Sequence, residues 1–199
     1  MNKNTGTPST GRDFDEVYDS PFAHWAWTDV RIPKELKELV KTTDPKTSLE
    51  LGCGLGRFST YLAEQGIQAT GVDFSSVAIE KAKQRVSGKE KKPVFLVGDV
   101  TNLEMLTVPF DVVFDVGCFH CLDEESEQKY VSETHRLLKS GGTLLIWAID
   151  GSSSSSPSGI KLNPEYVSEI FGKKFQLVNS RFSRRRVIAS HWYRLVRFE

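Results

Sequence analysis

Apolar residues in this chain recur with two alternating periods, one helical and one extended. Leu36, Leu39 and Val40 fall at i, i+3 and i+4, and Pro33 suits the first turn of the helix they predict. Thr47–Leu51 reads as a short strand. Leu55, Phe58 and Leu62 return to helical spacing, and Gly66 ends that helix. Gln68–Val72 is the next strand, closed by Asp73, and Ser75 is placed to cap a helix carrying Ile79, Ala82 and Val86 inward. Val94–Val97 and Val112–Phe114 are strands. Asp123 can cap a helix with Tyr130, Val131, Thr134, Leu137 and Leu138 inside. Gly141-Gly142 then turns the chain into Thr143–Ile149, a continuous apolar run of the kind buried on both faces of a sheet. A Ser-rich stretch at 151–159 reads as a flexible loop. Asn163-Pro164 starts a helix with Val167, Ile170 and Phe171. Phe175–Phe182 and His191–Phe198 close the chain as a hairpin with a basic connection.

Strand and helix signals in this order predict right-handed crossovers and an α/β fold: a mostly parallel sheet with helices on both faces. At 199 residues a single domain, 1–199, is the natural count. Residues 1–12 are polar and expected to be a disordered tail, and 13–45 form a segment with Tyr18, Phe22, Trp25 and Trp27 ahead of the core at 46–199. Lys plus Arg equals Asp plus Glu at 26 each. Nonspecific nucleic-acid binders carry a basic excess, so a polynucleotide substrate is disfavoured. No apolar run nears the ~20 residues of a membrane helix. The polar start lacks a signal-peptide core, and three cysteines do not make a disulfide scaffold, so a cytoplasmic protein is expected. The pattern says nothing of an oligomeric state.

The densest chemistry lies at Glu50-Leu51-Gly52-Cys53-Gly54-Leu55-Gly56, between a strand and a helix. Three alternate glycines predict close backbone approach to a ligand at a strand-to-helix turn. The dinucleotide fingerprint spaces its glycines G-x-G-x-x-G; here the third comes one residue early, which disfavours a nicotinamide cofactor. Asp73 ends the second strand, where a carboxylate can accept from both hydroxyls of a ribose.

With ELGCGLG at 50–56, VDFS at 72–75, GDV at 98–100 and LKSGG at 138–142, the chain resembles the class I S-adenosylmethionine-dependent methyltransferases from about Tyr18 onward. The resemblance implies a Rossmann-like sheet of seven strands, the last antiparallel, and S-adenosylmethionine (SAM) as cofactor, with S-adenosylhomocysteine (SAH) as product. It implies that Gly52, Cys53, Gly54 and Gly56 approach the methionyl part and that Glu50 faces its ammonium. Asp73 and Phe74 then belong to the ribose side, Asp99 and Val100 to the adenine, and Tyr18, Asp115 and Val116 to the remaining cofactor contacts. Residues 46–199 would be the catalytic core and 13–45 a lid.

Acceptor chemistry is expected at Asp115–Cys121, after the fourth strand. The segment lacks the Asn/Asp-Pro-Pro-aromatic run of nucleobase and glutamine N-methylases. The resemblance therefore points to a small-molecule acceptor, with loose similarity to thiol, halide and thiopurine methyltransferases. His120 reads either as general base or acceptor-orienting donor, or as a histidine bonded across its loop. Trp25, Trp27 and Phe119 are expected acceptor contacts; Trp25 and Trp27, with Tyr18 and Phe22, read equally as packing of their segment against the sheet. Cys118 and Cys121 flank His120 but have no second pair, so no metal site is expected; they read as small apolar filler or as soft ligands. Arg181 and Arg184–Arg186 read as a solvated face or as an attractor of acidic substrate. Two further functions stand beside the leading one: a methyltransferase fold that binds cofactor without turnover, and a protein or RNA methyltransferase.

Overall fold

A computed structural model describes residues 11–20, 31–149, 162–185 and 188–199. Phe22, Trp25, Trp27, the serine-rich stretch 151–159 and Arg186 lie outside these residues, so the expectations placed on them are not met or refuted. The described elements run α1 (Gly11–Asp19), α2 (Lys34–Thr43), β1 (Thr47–Leu51), α3 (Arg57–Glu64), β2 (Gln68–Asp73), α4 (Ser76–Val86) and β3 (Val94–Val97). β4 (Phe110–Val116), α5 (Glu124–Leu137), β5 (Leu138–Ile149), α6 (Pro164–Phe171), β6 (Phe175–Arg185) and β7 (Ile188–Arg197) follow.

Seven strands form one sheet in the order β3-β2-β1-β4-β5-β7-β6. β1 to β5 pair in parallel, whereas β7 runs antiparallel between β5 and β6. The fold is therefore the α/β, mostly parallel sheet that the alternation implied, with the seven strands and antiparallel last strand that the resemblance to a Rossmann-like family implied. Successive residues of β4 show why both faces need helices. Val112 and Phe114 pack with Leu36, Leu39, Leu62 and Trp192, while Val113 packs with Tyr130, Phe171 and Phe175 on the opposite face.

The helices begin where their caps lie. Ser75, Asp123 and Asn163 each accept a hydrogen bond from the backbone N–H three residues on. Two boundaries differ from expectation. α1 starts at Gly11, inside the stretch expected to be disordered. β5 starts at Leu138, so Gly141-Gly142 lies within a strand whose register against β4 shifts between Phe110 and Val112, rather than in a turn before it.

At the amino end of the sheet, Asp111 fastens β1 to β4 and β5. Its Oδ2 accepts from the N–H groups of Lys46 and Thr47, each at 2.8 Å, and its Oδ1 from Lys139 Nζ at 2.6 Å. Partial burial alone raises this carboxyl, but the bonds from Lys139, Thr47 and Lys46 outweigh burial and hold it at about 2. A folded-state value below the unfolded one gives stability that is present above pH ~4 and lost as pH falls toward 2. Asp111→Asn is expected to cost roughly 1–2 kcal/mol at neutral pH, with the gap to wild type closing as pH falls to 3 and below. Urea titrations at pH 7 and pH 3 check this; an equal gap at both would contradict it.

Candidate active site

The strand order reverses between β1 and β4, which opens a crevice at the carboxyl ends of the strands. The glycine loop enters it from β1. Gly52, Gly54 and Gly56 have φ of 69°, 49° and 69°, a left-handed path that side chains resist. Protein groups already sit at each. A Cβ on Gly52 would lie 2.5 Å from Cys118 Cβ, one on Gly54 would lie 2.7 Å from the Tyr18 hydroxyl, and one on Gly56 would overlap the Phe95 ring. The glycines thus allow β4's loop, α1 and β3 to close around the turn as well as leaving room for a ligand. Cys53 is buried and its N–H donates to Val72 O at 2.9 Å, which ties the loop to β2.

Three carboxylates are buried around this loop. Glu50 is 2% exposed, and its Oε2 accepts from Ser59 N–H at 2.8 Å and Ser59 Oγ at 2.5 Å. It holds the start of α3. Burial pushes its carboxyl up to about 8 against the opposing Ser59 bonds, with Asp73 and Asp115 adding repulsion. Asp73 accepts from Gly54 N–H at 2.7 Å and Ser75 N–H at 2.9 Å; burial raises it too, and those bonds oppose the rise. Asp115 is fully buried. It accepts from Cys118 and Phe119 N–H, each at 2.8 Å, and from the Tyr130 hydroxyl at 3.0 Å; burial carries it up to about 6. Among the described residues, every hydrogen bond that these three accept comes from a neutral group.

Asp99 is exposed and accepts from Thr101 N–H at 2.8 Å and Thr101 Oγ1 at 2.7 Å, closing a tight turn after β3. Val100 is buried. Phe74 is 44% exposed just past β2, and Met105, 53% exposed, reaches to within 2.9 Å of where a Gly98 Cβ would stand. Met105 had no signal in the sequence pattern; its place comes from the turn at Asp99.

Beyond β4, Val116 is half-buried and Asp115 gathers the loop that follows. Phe119 is a correction: it is fully buried between Tyr130 and Phe171, at ring centroid distances of 5.0 and 5.4 Å, and supports the turn from beneath instead of facing an acceptor. His120 is 3% exposed, stands edge-on to Trp147 at 5.9 Å, and has no hydrogen-bond partner at Nδ1 among the described residues. Trp147, on β5, was missed because only the β4–β5 pairing, Val116 with Trp147, brings it here. Burial pushes the His120 imidazole down to about 4, so it is neutral at physiological pH. A proton titration by NMR is expected to show its ring unprotonated down to about pH 5; a midpoint near 6.5 would contradict this.

Cys118 and Cys121 are free thiols, both raised by burial, Cys121 to about 12. Among the described residues no group of three or more His, Cys, Asp or Glu side chains is placed to hold a metal, and no helix is long and apolar enough to cross a membrane. Arg181 pairs with Glu35 at 3.3 Å and Glu38 at 3.8 Å.

α1 lies across the loop. Asp15 Oδ1 accepts from Ser75 Oγ at 2.5 Å and Val77 N–H at 3.1 Å, and Tyr18 stands over Gly54. The structure thus brings Tyr18, the glycine loop, Cys118 and Asp73 together, with Glu50 and Asp115 beneath them.

Residues 49–142 match the family model of the methyltransferase domain. An uncharacterized methyltransferase of Schizosaccharomyces pombe is 29% identical over 107 residues, which is 54% of this chain and 74% of that protein. Norajmaline N-methyltransferase of Rauvolfia serpentina is 33% identical over 125 residues, 61% of this chain and 41% of that protein. A tRNA N(3)-methylcytidine methyltransferase of Drosophila melanogaster is 28% identical over 153 residues, 71% of this chain and 47% of that protein. The chain thus spans under half the length of these last two relatives. Magnesium protoporphyrin IX methyltransferase from Synechocystis PCC 6803 with bound SAM shares the fold at TM-score 0.75 and 17% identity, over 98% of this chain and all of that one. A structure from the study of disulfide conversion to a thioacetal in echinomycin biosynthesis matches at TM-score 0.75 and 22% identity, over 95% of this chain and 93% of that one. Residues 49–142 are thus similar to a methyltransferase domain, in a fold shared with SAM-dependent methyltransferases. The Synechocystis enzyme is known with SAM and with SAH bound.

Proposed function

We propose that the crevice holds SAM over the glycine loop, with its ribose on Asp73, and that a small-molecule nucleophile is methylated beside His120. The observation that carries this reading is the set of three buried carboxylates, Glu50, Asp73 and Asp115, hydrogen-bonded among the described residues by neutral groups alone. Each is raised by burial, so a cation placed among them favours their charged forms and is held in return. SAM carries two positive groups, a sulfonium and an ammonium. The exposed side chains of Phe74 and Met105 beside Asp99 offer apolar surface and an acceptor to a purine. The sulfonium, when bound, supplies an already activated methyl group.

What remains for the protein is to align the acceptor, exclude water and handle a proton. Asp115 fixes the loop that carries His120, and Trp147 gives that loop an aromatic wall. A neutral imidazole whose buried Nδ1 is unpartnered among the described residues can take the proton that a thiol, phenol or ammonium acceptor must lose, once the acceptor reaches that atom. The even charge balance and the engagement of Arg181 by Glu35 and Glu38 favour a small acceptor over RNA. Methyl-labelled SAM incubated with panels of thiols, amines and phenols, and separately with bulk tRNA, tests the reading. Label in a small-molecule fraction is the expected result; label in RNA alone would overturn it.

A further inference from the structure

Helix α1, with the sequence GRDFDEVYD, is polar and only 9 residues long. A helix so short does not persist unaided in water, so its docking must hold it. Polar contacts to α4 and its cap do so, and those of Asp15 lie next to Asp73. Asp15 accepts from Ser75 Oγ, from Val77 N–H and, at 3.2 Å, from Ser76 Oγ. It thereby serves as an anionic cap on the N-terminus of α4, supplied from another element. Lys81, one turn into α4, donates to Tyr18 O at 2.7 Å and pairs with Asp19 at 3.7 Å. The Tyr18 hydroxyl covers Gly54.

Ser75 joins these contacts to the site. Its Oγ donates to Asp15, and its N–H donates to Asp73 Oδ1. Asp73 in turn accepts from Gly54, the residue under Tyr18. The path Asp15–Ser75–Asp73–Gly54–Tyr18 therefore leaves α1 and returns to it, and the Asp73 carboxylate is at its centre.

We infer that Asp15, acting through Ser75, latches α1 over the bound cofactor, so that cofactor exchange requires this latch to open. Asp15 is then a positioning residue: it touches neither cofactor nor acceptor but sets how long the lid stays shut. This rests on the placement of the cofactor at Asp73 and the glycine loop. A structural helix cap would affect melting alone. A latch affects the rate at which SAH leaves.

The test uses the full chain and SAH, with dissociation followed by surface plasmon resonance and amide exchange measured across residues 11–19. Asp15→Ala is expected to speed SAH release by roughly tenfold, the usual weight of a lost cap converted to a rate. Exchange in α1 should rise, and the unliganded melting temperature should fall only by the few degrees that a lost helix cap brings. Asp15→Asn keeps an oxygen for Val77 N–H and should fall between the two. Lys81→Ala, a change on a partly exposed side chain, should speed release in the same direction and serves if Asp15→Ala does not fold. Wild-type release rates in Asp15→Ala and Lys81→Ala would overturn the latch while leaving the cofactor site intact. A wild-type protein that fails to bind SAH would overturn both.

Discussion

Gly56→Ala is expected to destabilise the fold by roughly 2–5 kcal/mol, combining a left-handed backbone penalty with overpacking. The added Cβ meets the Phe95 ring, and Phe95 is 3% exposed in a cluster with Cys53, Ile79, Ala82 and Val86. Ala82 Cβ would also lie 3.1 Å from the added Cβ, so the new methyl is pressed from two sides. Such a loss is a large share of the ~5–15 kcal/mol that holds a domain together. Gly54→Ala provides the contrast. Its φ of 49° is equally left-handed, but its Cβ meets the end of the Tyr18 side chain, on a helix held by a few polar contacts. That variant should cost less stability. Urea denaturation of both variants checks the ranking, and adding Phe95→Leu to Gly56→Ala should lose less than the sum of the single changes. Near-wild-type stability for Gly56→Ala would contradict the packing described around the loop.

Asp73→Ala is expected to weaken SAH binding by roughly 1.5–3 kcal/mol, about 10- to 150-fold, the range for hydrogen bonds to a charged acceptor. The change also strands two backbone donors, because Gly54 N–H and Ser75 N–H both end on this carboxylate. Some loss of stability should accompany the loss of affinity. Asp73→Asn keeps one acceptor oxygen and separates the two effects: it should melt closer to wild type than the alanine variant while still binding SAH more weakly. Unchanged affinity in a folded alanine variant would remove the ribose from Asp73.

Local chemistry made much of the fold legible. The caps at Ser75, Asp123 and Asn163 could be read because each acts within three residues of itself. Alternation carried β4, since Val112, Val113 and Phe114 must face opposite layers. Helix α1 was not legible, because its support is a bond from Ser75, 60 residues away. Nor did any local pattern place β7 between β5 and β6; that order depends on pairing across the whole chain.

At the site, the motif residues converge at the carboxyl ends of the strands, but their immediate partners differ from those a motif suggests. Glu50 was read toward a ligand's ammonium, and its carboxylate is bonded to Ser59 at the head of α3. Asp99 closes a turn with Thr101. The glycines make room for Cys118, Tyr18 and Phe95 as much as for a ligand. Motif spacing reports that a position is constrained; which neighbour imposes the constraint depends on long-range packing. Trp147 beside His120 and Met105 beside Gly98 show the same limit from the other side, as neighbours with no motif of their own.

Isothermal titration of SAH into the intact protein at neutral pH, repeated with Asp73→Ala, tests the central claim most directly. Saturable one-to-one binding to wild type, weakened at least tenfold in a folded Asp73→Ala protein, is the predicted result. Absence of wild-type binding at millimolar SAH, or equal affinity in the two proteins, would contradict it.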